Sequence, residues 1–314
     1  MTTVRNDWQR EEVTAIYNLP LLDLVYKAAT IHREFQKADE VKVNTLISVK
    51  TGACPEDCAY CAQSSRYNTG IKPSILERDE ILRLANEAKK NGASRVCLSA
   101  SWKHVKDDST LEKIISTGRE IKEMGLNICC TLGSVNKDQV ERLREAGFTA
   151  FNHNLDTSEE HYHNIITTRT YQDRLDTLNT LIDGGMSYCS GGILGIGESD
   201  EDRISMLHTL ATMRKHPFSL PLNTLLPIKG TPLENMKNVE VFEMVRMIAT
   251  ARILMPETII CLAAGRTAMT EEGQAMCFMA GSNSIFLGEK LLTAPNPEVN
   301  EDMNLLKKLG LKSV

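Results

Sequence analysis

The chain has 314 residues, with 36 Lys and Arg against 41 Asp and Glu for a formal net charge of −5. Its cations are scattered rather than gathered into runs, which leaves no footprint for nucleic acid or an anionic membrane and favours a small-molecule substrate. No apolar stretch approaches the ~20 residues needed to span a bilayer, and the start "MTTVRNDWQREEV" lacks the apolar core of a secretory leader, so a cytoplasmic protein is expected.

Two N-terminal segments, ending in "LPLLDLVYKAATIHREFQKADE", have helical spacing. Eight β-rich runs then follow at a steady rhythm: "VNTLISV" from Val43, "SRVCLSA" from Ser94, "NICCTL" from Asn127, "TAFNHNL" from Thr149, "SYCSGGIL" from Ser187, "SLPLNTLL" from Ser219, "TIICLAA" from Thr258 and "SIFLG" from Ser284. Helix-period segments separate them, several closed by a Gly where a left-handed cap residue would sit. Eight βα units predict an α/β fold, a (β/α)8 barrel of the TIM type. The predicted divisions are residues 1–42 as an N-terminal helical extension, 43–297 as the barrel, and 298–314 as a C-terminal helical tail.

Nine cysteines are many for a reducing compartment, where metal binding or catalysis explains them better than disulfides. Cys54, Cys58 and Cys61 fall just after the first strand, in a C-x-x-x-C-x-x-C loop. Cys97, Cys129, Cys189 and Cys261 fall within strands two, three, five and seven, where side chains from separate strands meet in a lumen. A structural zinc site wants four protein ligands. The loop "ACPEDCAYCAQSSRY" offers three and no His. Three thiolates suit a [4Fe–4S] cluster with one iron left open.

That loop, with Tyr60 before its last cysteine, resembles the signature of radical S-adenosylmethionine (SAM) enzymes. Over about Asn44 to Pro297 the strings "KTGACPEDCAYCAQSSRYNTG", "FNHNLDTS", "NIITTRTYQDRLDTL", "CSGGILGIGE", "KGTPL", "QAMCFMAG" and "KLLTAPNPE" resemble the biotin synthase family. The resemblance implies conversion of dethiobiotin to biotin. SAM chelated to the open iron is cleaved to a 5'-deoxyadenosyl radical, which removes hydrogen from unactivated carbons, and an auxiliary cluster donates the sulfur. An unactivated C–H offers no acid–base handle, so a cofactor must begin the reaction. By the same resemblance Tyr60, Asn154, Asp156 and Arg174 contact SAM, with Asp156 on the ribose and Arg174 on the carboxylate. Asn152 and Asn223 hold the dethiobiotin ureido ring, whose acceptor and donors an amide matches. The family also implies a homodimer and an electron donor such as flavodoxin or ferredoxin.

Cys97, Cys129 and Cys189 match the cysteine ligands of the family's auxiliary [2Fe–2S] cluster. Its fourth ligand is an arginine, and here "CLAAGR" places Cys261 at that position and Ala263 where a serine is usual. Four thiolates hold either a [2Fe–2S] or a four-iron cluster, so the auxiliary cluster is expected to be all-cysteine, in its enlarged form with an extra sulfide. Ala294 in "LLTAPNP" replaces a second Thr near the substrate carboxylate.

Other features read as packing. Cys130 follows Cys129 on a strand and should face the helices. Cys277 lies in an apolar helical pattern, as do Met244 to Met255. His153 should point away from Asn152 and Asn154, and His161 and His163 are badly spaced for a metal. "GGILGIGE" lacks the third glycine of a dinucleotide fingerprint and is expected to approach SAM through its backbone. Arg95, two residues before Cys97, should share its face. The competing functions are a related radical SAM maturation enzyme or mutase, and a non-enzymatic iron–sulfur carrier. The first explains the cysteine loop but not the strand cysteines, and the second needs no SAM contacts.

Overall fold

A computed structural model describes residues 3–314. Eight parallel strands form the barrel: β1 (Glu40–Thr51), β2 (Arg95–Ala100), β3 (Asn127–Thr131), β4 (Ala150–Asn152), β5 in two pieces (Ser187–Cys189 and Gly192–Leu194), β6 (Ser219–Thr224), β7 (Ile259–Leu262) and β8 (Ser284–Leu287). Neighbours in sequence are neighbours in space, and β8 returns to β1 in the register Lys42 to Ser284, which closes the ring. This is the expected (β/α)8 architecture.

Alternation along each strand divides the molecule into two environments. Val41, Val43, Ile47 and Val49 of β1, Val96 and Leu98 of β2, Ile128 and Cys130 of β3, and Ile260 and Leu262 of β7 are buried in one apolar layer against the helices. Each such aliphatic contributes about 1.5–3 kcal/mol relative to exposure. The residues between them point inward and are mostly polar or sulfur-bearing, with Leu46, Ile259 and Phe286 among them, and the lumen is hollow where many barrels of this kind are filled by branched aliphatics. Cys130 lies on the helix side, and Cys277 and Met244 are likewise fully buried core.

The helices form where their termini are satisfied. Helices α1 (Arg10–Tyr17) and α2 (Leu21–Phe35) precede the barrel, and they pack on α8 (Asp200–Thr212) and α9 (Val241–Leu254). Between the strands lie α3 (Arg78–Lys90), α4 (Ser109–Glu123), α5 (Lys137–Glu145), α6 (Glu159–Ile165) and α7 (Tyr171–Asp183). Asp108 caps α4 through Thr110 and Leu111, and Asn136 and Gln139 form a reciprocal box at the start of α5. Gly92 and Gly147 take φ of 88° and 92°, and the next residues close the helix ends through Ala93 N–H to Ala88 O and Phe148 N–H to Leu143 O.

Helix α10 (Glu271–Met279) follows β7, and α11 (Val299–Lys308) follows β8 after a hairpin of Lys290–Leu291 with Ala294–Pro295. Arg266 and Asp302, both fully buried, tie the turn after β7 to α11. Past α11, Lys312–Ser313 pairs in parallel with the first residues of β1. No helix among the described residues is long and apolar enough to cross a membrane.

Candidate active site

One cavity of about 610 Å³ runs along the barrel axis. Its wall includes Tyr60 and Cys61, Asn152, Asn154 and Asp156, Asn223, and the strand cysteines Cys97, Cys129, Cys189 and Cys261. Cys54 and Cys58 lie buried in the loop behind Cys61, and Arg174 reaches the wall through its partners.

The cysteine loop is folded on itself and pinned to its neighbours. Cys54 N–H donates to Gln63 O at 2.9 Å, Ser65 N–H donates to Cys54 O at 2.8 Å, and Cys61 N–H donates to Cys58 O at 2.9 Å. The Asp57 carboxylate accepts from the N–H groups of Thr167 and Thr168 at 3.0 and 3.1 Å and from both hydroxyls. Burial alone would raise its pKa; these bonds outweigh it and hold the group at about 2. Burial pushes the Cys61 thiol up to about 11 and raises Cys54 and Cys58 as well. Among the described residues no three His, Cys, Asp or Glu side chains gather round a single-ion position. A set made wholly of thiols, with each neighbouring another, has the soft-donor chemistry of an iron–sulfur site.

Behind the loop lies a network that sequence reasoning missed. Arg169 donates to Ser134 Oγ, to Lys103 O and, at 3.4 Å, to His153 Nε2, and its guanidinium stands 3.5 Å from the buried Glu56 carboxylate. One side chain thus ties together the loops after β1, β2, β3 and β4. The isolated "TTRT" string held the signal, though nothing local names its partners. His153 faces this network rather than the cavity, as its alternation predicts.

At the mouth, Arg174 donates to Asp156 Oδ2 at 2.7 Å and to the Tyr162 hydroxyl at 2.9 Å. The two groups expected to share SAM are therefore engaged with each other, and one ligand could meet both. Burial raises the Asp156 pKa against the pull of Arg174. Asp156 also has φ of 70°, a left-handed conformation that costs a non-glycine residue energy and clusters at functional sites. Its backbone is held there by the break in β5: Asp156 N–H donates to Gly191 O at 3.1 Å, and Ile193 N–H to Asp156 O at 2.9 Å. Only glycine fits this break. A Cβ on Gly191 would lie 1.9 Å from Pro221 O, and one on Gly192 would lie 2.3 Å from Met206 Sδ.

The glycine loop that follows does not line the cavity. The N–H groups of Gly195 and Ile196 donate to the Glu198 carboxylate at 2.8–3.0 Å, and Glu198 pairs with Arg203. Its glycines serve a turn closed by Glu198.

Asn223 Nδ2 donates to Gly192 O at 3.1 Å, and its Oδ1 accepts from Ala264 N–H at 3.0 Å. These bonds fix the amide and leave one N–H and one lone pair for a ligand. Cys97 and Cys129 are register partners with Cα atoms 4.5 Å apart, and their sulfurs are joined as a disulfide, against the expectation of free thiols; facing strands bring the two sulfurs together, and the bond has to be reduced before either can ligate iron. Cys189 and Cys261 are free thiols; burial pushes them up to about 11 and 12, and Cys261 also senses the charge of Cys189. The four sulfurs thus belong to one stretch of the lumen.

Residues 48–210 match the family model described as the radical SAM superfamily, and residues 221–312 match that of the biotin and thiamin synthesis associated domain. The chain is 53% identical to a biotin synthase of Cytophaga hutchinsonii, over 99% of this chain and 93% of that protein. It is 51% identical to the mitochondrial biotin synthase of Arabidopsis thaliana, over 98% of this chain and 82% of that protein. Among solved structures, methylornithine synthase superposes with a TM-score of 0.81 at 19% identity, covering 98% of this chain and 94% of that one. A hydrogenase maturase from Carboxydothermus hydrogenoformans gives 0.83 at 14%, covering 98% and 76%. At such identities these two share the fold alone. With half its residues identical to biotin synthases along nearly its whole length, the chain belongs to the biotin synthase family, radical SAM enzymes of sulfur insertion whose reaction uses a [4Fe–4S] cluster and SAM.

Proposed function

We propose that Cys54, Cys58 and Cys61 hold the [4Fe–4S] cluster and that Cys97, Cys129, Cys189 and Cys261 hold the auxiliary one, in an enzyme that converts dethiobiotin to biotin. The observation that carries this reading is the single cavity in which Cys61 and Tyr60 share a wall with the four strand cysteines. When bound, SAM and its cluster supply a radical able to take hydrogen from an unactivated carbon, and the auxiliary cluster supplies sulfur. This chain's part is placement. Asn154 and the Asp156–Arg174 pair receive the polar groups of SAM, with Tyr60 beside them. Asn152, the register partner of Cys189, and Asn223, two residues beyond the register partner of Cys261, present amides to the ureido ring, and Thr293 and Ala294 of the hairpin border the same space.

Cys261 gives the auxiliary site a fourth soft ligand. We assign it an all-cysteine cluster in its enlarged four-iron form, with an all-cysteine [2Fe–2S] cluster as the second reading. Iron and sulfide content with Mössbauer spectroscopy tests this on anaerobically reconstituted protein lacking Cys54, Cys58 and Cys61. About four irons remaining support the enlarged cluster, about two the smaller one, and none refutes both. A reductant of the flavodoxin or ferredoxin class, a homodimer and a cytoplasmic location complete the proposal.

A further inference from the structure

The cavity does not stop at the cysteines. Arg95 stands two residues before Cys97, Asn127 two before Cys129, and Ile259 two before Cys261, and all three line the same lumen. In a parallel barrel two residues earlier on one face is ~6.6 Å nearer the N-terminal end of the strands. Lys42 lies there too, in register with Ser284, itself the partner of Cys261. The lumen therefore continues below the cysteine layer, away from the mouth where SAM and dethiobiotin are placed. Asn127, at its lower rim, is exposed, so this end meets solvent.

The lower chamber is positively charged. Arg95 donates to Thr149 Oγ1 at 3.0 Å and lies over the Phe218 ring at 4.9 Å, an orientation that fixes its guanidinium beside the sulfurs. Among the described residues neither Arg95 nor Lys42 meets a carboxylate within ion-pair distance; Glu40, the nearest acidic residue in sequence to Lys42, pairs with Lys37. Lys42 feels the like charge of Arg95 and only the more distant carboxylate of Glu40, so these two half-buried cations attract small anions, and low-dielectric walls concentrate that field. A donor cluster that gives up its sulfur needs it replaced, while the upper mouth is occupied by substrate and SAM.

We infer that the lower end of the barrel is an anion-selective passage, gated by Lys42 and Arg95, through which free hydrosulfide reaches the cysteine layer. The ligand rests on the reading of the four cysteines as a cluster site; the passage rests on geometry alone, and two measurements separate them. In the reduced, metal-free full chain, alkylation of Cys189 by iodoacetate and by iodoacetamide is followed by mass spectrometry. The ratio of the two rates cancels any change in thiol nucleophilicity; for Arg95, whose charge acts on Cys189 itself, it reports the field at the thiol as well, and for Lys42, which does not, it reports the charge of the path. Lys42→Gln and Arg95→Gln should each lower that ratio about tenfold, and Asn127→Trp, which narrows the rim, should slow both reagents. An unchanged ratio, or Asn127→Trp without effect, overturns the passage. The second measurement uses enzyme whose auxiliary site has been emptied by turnover, and follows uptake of isotope-labelled hydrosulfide with an equimolar mixture of ferrous and ferric iron, which supplies the valence of a four-iron cluster without a further oxidant. Slower uptake in Lys42→Gln, in proportion to its alkylation ratio, supports hydrosulfide as the ligand. Equal uptake overturns that assignment. No uptake by the unaltered enzyme, alongside a normal alkylation ratio, refutes the cluster reading.

Discussion

Asp302→Ala tests whether the turn beside the cysteine layer is held by one buried ion pair. Arg266 follows Cys261 and Ala263 in "CLAAGR", and its guanidinium donates to Asp302 Oδ1 and Oδ2 at 2.5 and 2.7 Å, to Gln274 Oε1 at 3.2 Å and to Phe286 O at 3.0 Å. Both charged side chains are essentially inaccessible. Burial raises the Asp302 pKa against the pull of Arg266, so desolvation offsets much of the attraction. Halving such a pair is another matter. Asp302→Ala leaves a buried cation with two neutral acceptors and should cost about 3–5 kcal/mol. At roughly 2.1 cal/mol/K per residue, 314 residues have an unfolding entropy near 0.66 kcal/mol/K, so the loss corresponds to about 5–8 °C in Tm. Scanning calorimetry and urea unfolding of the metal-free chain measure it. The double variant Arg266→Met with Asp302→Leu should recover more than half of the loss, because neither charge is then stranded. A loss under about 1 kcal/mol for Asp302→Ala would refute the argument.

Arg169→Gln should strand Glu56 at a cost of about 1–3 kcal/mol and loosen the loop that carries Cys54 and Cys58; iron from the loop cluster should then be lost to a chelator several-fold faster, and equal rates would count against the network's role. Gly191→Ala drives a Cβ into Pro221 O and should cost about 1–3 kcal/mol as overpacking, with dethiobiotin turnover down at least tenfold because Asp156 hangs from Gly191 O; normal turnover would sever that link. His32 is buried, its pKa lowered by burial and then by Arg252 and Arg33 from 6.5 to about 4. Its contribution is full above pH 6.5 and is lost as pH falls toward 4, which amounts to about 2 kcal/mol between pH 7 and 5. Urea unfolding at the two pH values should find that difference reduced by this amount in His32→Leu, and an identical pH dependence would contradict it.

The barrel was legible because its alternation is strict. An aliphatic at every second position predicts a strand with one face on the helices, and a helix-period segment closed by Gly predicts its return, so eight βα units could be counted from residues alone. The division of the fifth strand could not. "SYCSGGIL" reads as one run, and the break at Ser190–Gly191 exists because the Pro221 carbonyl of the next strand leaves no room for a Cβ, a contact between segments 30 residues apart. The same limit applies to charges. Arg174 and Asp156 lie 18 positions apart, and nothing in either neighbourhood announces that they pair. Glu198 follows its glycines closely in sequence, yet its use of their N–H groups depends on a turn that spacing does not specify.

The lumen itself was legible for a different reason. Strand positions that alternate with Val, Ile and Leu would normally carry further aliphatics if they filled a core, and here they carry Lys42, Asn44, Arg95, Cys97, Asn127, Cys129, Asn152 and Cys189. The amides and cations among them cost several kcal/mol each to bury without partners. Their presence inside a closed ring therefore implies a space kept open for something that pairs with them. The chemistry of the lining side chains orders that space along the axis: Asn154, Asn223 and the Asp156–Arg174 pair at the mouth, sulfur at the middle, and Lys42 and Arg95 with Asn127 at the foot. The proposed polar substrate at one end, sulfur donor between and anion supply at the other would leave none of these groups without a partner.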